Sequence, residues 1–170
     1  MPVYNYAVML AGMGFYKEHL QYADTAYKLN QADPLFLVAA LRANILNGKF
    51  DTAHELLLGA SKLRLNSDRI TMLNNILQFI QSNSISPSDF VKLQDTAYGL
   101  LHSRNIFIMK PSLEILEDED SMFLSYEILI DKPVMEIIDL SVMHARALAQ
   151  EPSLLEISDN VIISFSSWCE

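Results

Sequence analysis

Cysteine is almost absent from this chain of 170 residues: the single copy, Cys169, is next to last. An internal disulfide is excluded, which fits a reducing compartment and predicts a cytoplasmic location. Glycine is scarce as well, five scattered copies. They form no Gly-rich phosphate loop, and no cofactor is implied. No apolar run approaches the roughly 18 to 20 residues that span a bilayer. The longest, Leu35 to Leu41, is too short, so membrane insertion is not expected. The start, Met1-Pro2-Val3-Tyr4-Asn5, has neither a basic region nor a small-residue cleavage site, which predicts no signal peptide. Histidines are few: His19, His54, His102 and His144. None stands at a His-Glu-x-x-His spacing, and a zinc set lacks its second cysteine. No strained serine elbow appears either. These absences predict no metal site, no catalytic residue and no enzymatic activity.

Basic residues are also in deficit, 12 Lys and Arg against 21 Asp and Glu, for a net charge of −9. The deficit is uneven. Residues 1–113 hold ten basic and eight acidic side chains, a balance of +2, whereas 114–170 hold two and thirteen, a balance of −11. Such a split predicts two modules with different surfaces and argues against direct nucleic-acid binding, which needs a basic footprint. Apolar residues make up 51% of the chain, ample for a packed core.

A repeat organises the first part. Gly14-Phe15-Tyr16 recurs as Gly48-Lys49-Phe50, 34 residues on, and at the same offset Ala26 matches Ala60 and Leu29 matches Leu63. The glycine and the aromatic two residues later predict a turn inside a helical hairpin. Ala26, Ala53 and Ala60 predict close helix approach. Asp33-Pro34 reads as an N-cap and first helical residue opening a second hairpin. A degenerate third unit is marked by Asp95-Thr96-Ala97-Tyr98, which echoes Asp24-Thr25-Ala26-Tyr27. Its helices are predicted over 68–82 and 87–103, with Ser82 where the turn glycine would stand.

The period and these positions resemble the tetratricopeptide repeat family, clearly over residues 1 to about 68 and more weakly to 103. The chain departs from the family at Gln31 and Leu65, where a proline is usual, and at His19, where alanine is usual. The resemblance implies a protein-binding scaffold, an adaptor or chaperone-like protein whose first helix of each hairpin lines a groove. Carried across residue by residue, the partner-binding positions are Tyr4, Val8, Leu35, Val38, Arg42, Met72, Ile76 and Phe79. With Arg42 as the one cation, an apolar or amphipathic segment is the expected ligand. The first helix has no polar cap before it, so a homodimer through that end is a further expectation.

After His102-Ser103-Arg104 the period changes. Met122, Leu124, Tyr126, Ile128 and Ile130 alternate as in a half-buried strand. An earlier strand over 106–116 is interrupted by Pro111, which predicts a sheet edge or bulge. A helix follows Asp131-Lys132-Pro133, with Val134, Ile137, Ile138, Val142, Ala145 and Leu148 as its packing set and Pro152 as its close. Residues 161–165 read as a last strand. The fold class is therefore α+β, mainly α: helical hairpins over 1–104, then an acidic strand-strand-helix-strand module over 105–170. The run Glu117, Asp118, Glu119 and Asp120 is predicted as the hairpin loop. Its alternative role is acidic docking, which would make the chain a decoy occupying a basic nucleic-acid-binding site on a partner protein.

Overall fold

The computed structural model describes residues 2–62, 65, 67–118 and 121–168. It is mainly helical with one small sheet, as the sequence predicts. The chain divides into two compact units, Met1–Pro87 and Ser88–Glu170.

The first unit contains α1 (Pro2–Gly12), α2 (Tyr16–Leu29), α3 (Pro34–Leu46), α4 (Phe50–Lys62) and α5 (Asp68–Ser82). Consecutive helices pack in pairs, and α3 also touches α1 and α5. The turns explain the echo in the sequence. Gly14 and Gly48 both adopt positive φ, 77° and 66°. In each turn the next amide reaches back five residues, Phe15 N to Leu10 O at 2.9 Å and Lys49 N to Asn44 O at 2.8 Å. This is the Schellman end of a helix, where the left-handed residue lets orphan carbonyls find donors. The turn after α5 is built in the same way at Ser84, φ 51°, with Ile85 N on Ile80 O at 3.0 Å. The turn thus falls two residues beyond Ser82, which is the last residue of α5. Helix starts follow local chemistry too. Asp33 Oδ1 accepts from Leu35 N at 2.9 Å ahead of Pro34, and Ser67 Oγ accepts from Ile70 N at 3.3 Å.

Alanine makes the tight contacts. Ala7, Ala23, Ala39 and Ala43 join Leu20 in one buried cluster, with Tyr4 packed on it. Ala26, Ala53 and Ala60 are also buried. Asparagines tie the hairpins together: Asn44 Nδ2 donates to Asp24 Oδ1 at 3.2 Å, and Asn47 Nδ2 to Tyr16 O at 3.0 Å.

The second unit takes in α6 (Pro87–Ser103), β1 (Ile108–Glu117), β2 (Met122–Ile130), α7 (Val134–Leu148), α8 (Pro152–Ser158) and β3 (Val161–Ser167). The sheet order is β1-β2-β3, antiparallel then parallel. Pro111 lies on the edge strand β1, opposite Ile128. The unit begins seventeen residues before the expected boundary at 104/105, because α6 belongs with the sheet. Tyr98 on α6 hydrogen-bonds Tyr126 on β2, hydroxyl to hydroxyl at 2.8 Å, and Lys92 pairs with Glu151. Leu124, Tyr126, Ile128 and Ile130 form the buried face of β2, whereas Met122 at its start is exposed. Pro152 does not close α7; it heads the short helix α8, where a missing N–H costs nothing.

Helix α7 reverses an expectation. Its buried residues are Ile137, Leu140 and His144, and His144 sets its ring edge-on to Phe165 at 5.6 Å. Of the predicted packing set only Ile137 is buried, while Val134, Ile138, Val142 and Ala145 face solvent. Apolar residues occur on two sides of this helix, and periodicity alone does not say which side a sheet takes.

Candidate protein-binding surface

Helix α3 is nearly all core. Its last three turns bury Leu37, Ala40, Leu41, Ala43, Asn44 and Ile45. One stripe stays open, Leu35, Val38 and Arg42, spaced three and four residues apart on a single face. Leu35 is exposed; Val38 and Arg42 are half buried. On α1 the corresponding positions are Tyr4 and Val8. Tyr4 is half buried with its ring 5.3 Å from Phe36, and Val8 is open. These five residues form a partly open surface, apolar apart from one guanidinium.

Helix α5 does not continue the stripe as expected. Ile76 is 0% and Phe79 7% exposed, so both are core residues, and of that set only Met72 is open. The 34-residue offset that placed them misses the shift of the third turn to Ser84. The face of an isolated helix cannot be assigned when the repeat has slipped.

A feature not legible as a motif lies between α4 and α5. A cleft of about 430 Å³ is lined by Asp51, His54 and Glu55 over Leu77, Ile80 and Ile85. Asp51, His54 and Glu55 share one helical face at intervals of three and one. Two carboxylates above an apolar floor suit a cationic side chain with an aliphatic stem. The three residues are visible in the sequence, but the floor comes from α5 and the turn after it, and nothing local signals it.

Two histidines, His19 and His144, are buried. His19 is 2% exposed, with Nδ1 2.9 Å from Ala7 O and Nε2 without a protein partner. Burial, assisted by the nearby Arg42 charge and opposed by the Ala7 hydrogen bond, lowers its pKa to about 4. Burial also lowers the pKa of His144. Both are therefore neutral core groups near neutral pH. His54 is exposed on the cleft. Among the described residues no cluster of His, Cys, Asp and Glu has the geometry to hold a metal ion.

In the acidic run, Glu117 and Asp118 are exposed, and Asp118 N bonds Ser121 O at 2.8 Å across the turn. Glu119 and Asp120 lie outside the described residues, as do Leu63 and Cys169. At the open side of the first hairpin, α1 carries no charged residue and exposes Tyr6 and Met9, and Met13 just beyond it is exposed too; Tyr6 stacks edge-on to Tyr22 at 4.6 Å. No helix among the described residues is long and apolar enough to cross a membrane.

The class these observations define is a stack of helical hairpins joined to a three-stranded α+β unit. No family model matches the sequence, and neither a curated protein nor a solved structure matches it.

Proposed function

We propose that the chain is a protein–protein interaction scaffold, adaptor or chaperone-like, whose first unit holds an apolar or amphipathic segment of another protein. The observation that carries this is the open stripe of α3. A helix otherwise sunk in the core leaves Leu35, Val38 and Arg42 at the surface, next to Val8 and Tyr4 of α1. An amphipathic helix would set its apolar side on Val8, Leu35 and Val38, with an acidic group near Arg42. The tetratricopeptide-like turn spacing supports the same reading, because such stacks present their first helices to ligands.

The test is site-directed photo-crosslinking in source cells. A crosslinking residue at Leu35 is expected to trap a discrete partner. Val8→Glu, an exposed change, is expected to abolish the adduct. A Leu35 adduct pattern identical to that from a crosslinker at Lys62, on α4, would overturn the reading.

A further inference from the structure

Helix α7 spends one apolar face on the sheet and keeps a second. On that second face Met135, Ile138, Val142, Ala145 and Ala149 alternate at intervals of three and four residues, the a and d spacing of a heptad. All five are exposed, Met135 at 72%, Ile138 at 48% and Val142 at 44%. A row of this length, two heptads long, is the seam of a helix pair rather than scattered surface carbon. Beside it stand Asp139 and Arg146, both at e positions and two turns apart. Neither has an ion-pair or hydrogen-bond partner among the described residues.

We propose that α7 is a self-association surface: two copies of the chain pair α7 against α7, antiparallel about a two-fold axis. Charge and size select both the occupant and the direction. In an antiparallel pair, a positions pack on d positions and e positions face each other. Val142 then meets Ala145 of the second copy and Ile138 meets Ala149, each twice. Both of these layers join a large residue to a small one, so the seam closes at even width and the alanines let the axes approach, with Met135 beyond them at each end. Asp139 falls beside Arg146 of the second copy, and the two-fold repeats that pair.

An in-register parallel pair lacks both matches. It sets Val142 on Val142 and Ala145 on Ala145, alternately crowded and hollow. It faces Asp139 with Val134 and Arg146 with Ser141, so no charge is met. A self-complementary charge pattern under a two-fold is the signature of an isologous interface. The second unit holds five basic and fifteen acidic residues. Their repulsion opposes association and keeps the dimer weak and reversible.

Sedimentation velocity of the full chain, from about 1 to 300 μM, tests this. A reversible monomer–dimer equilibrium is expected. Val142→Glu is expected to abolish it with an unchanged circular dichroism spectrum, since the side chain is exposed. Asp139→Arg alone and Arg146→Asp alone each weaken dimerisation about tenfold, by turning two attractions into two repulsions. The double exchange restores it to within about threefold of wild type. A chain monomeric throughout overturns the proposal. So does a dimer that ignores Val142→Glu but is lost with Met9→Glu, which would move the interface to α1. A double exchange no better than either single change also overturns it, by removing the antiparallel register.

Discussion

Two residues of the first unit hold conformations that their chemistry resists. Ser84 sits at φ 51° where the two preceding turns have glycine. A Cβ in the left-handed region costs about 1 kcal/mol. Ser84→Gly is therefore expected to raise unfolding stability by at most about 0.5 kcal/mol in urea titration, after the entropy glycine adds to the unfolded chain. Gly48→Ala should lower it by about 1–2 kcal/mol in the same assay. His19 resists protonation. Its pKa is about 4 folded against 6.5 unfolded, so the unfolded chain takes the proton first as pH falls. Stability is full above about 6.5, declines through the window between, and levels below about 4. The loss reaches at most about 3 kcal/mol. Urea midpoints measured between pH 7 and about 4.5 should show the decline, and His19→Ala should flatten it; an equal slope in the variant would assign the effect elsewhere.

Among the elements, those defined by local chemistry were legible and those defined by a neighbour were not. Gly14, Gly48, Asp33 and Pro34 mark turns and caps through their own backbone preferences, and the structure uses each of them as read. The alternation from Leu124 to Ile130 likewise marks one face of β2. Ile76, Phe79 and the packing set of α7 failed for a common reason. Each lies on a helix with apolar residues around much of its circumference, and only the arrangement of other elements decides which are buried. The echo of Asp24 to Tyr27 in Asp95 to Tyr98 groups α6 with the hairpins. Its Tyr98 hydroxyl instead meets Tyr126 in the second unit. Tyr98→Phe removes this hydrogen bond and should cost about 1 kcal/mol. Tyr98→Phe with Tyr126→Phe should cost less than the two single changes summed, because both single changes break the same bond.

At the scale of the molecule, the two packing units differ in charge, although the acid excess itself begins only at Glu114. Seven basic and six acidic residues fall in Met1–Pro87, against five and fifteen in Ser88–Glu170. A unit with so large an acid excess is weakened by self-repulsion, and the balanced unit is not. Native-state hydrogen exchange in mild denaturant reads the units separately. The amides of α6 are expected to lose protection together with β1 and β2, and those of α3 and α4 as another group. Raising salt should increase protection in the first group more than in the second. Exchange of α6 in step with α3 would return that helix to the hairpin stack.

The turn at Asn47-Gly48 also bears on how the molecule ages. In a flexible chain this dipeptide is the one most prone to lose its side-chain amide, because the glycine N–H attacks the asparagine carbonyl carbon with little hindrance. Here the Asn47 amide nitrogen donates to Tyr16 O and Ala43 O, and the Gly48 N–H is spent on Ile45 O. Both reacting groups are held in other bonds, so the native chain should deamidate slowly at this site and the unfolded chain quickly. An acid formed there would set a negative charge against two carbonyl oxygens, and damage once begun would loosen the clasp that had delayed it.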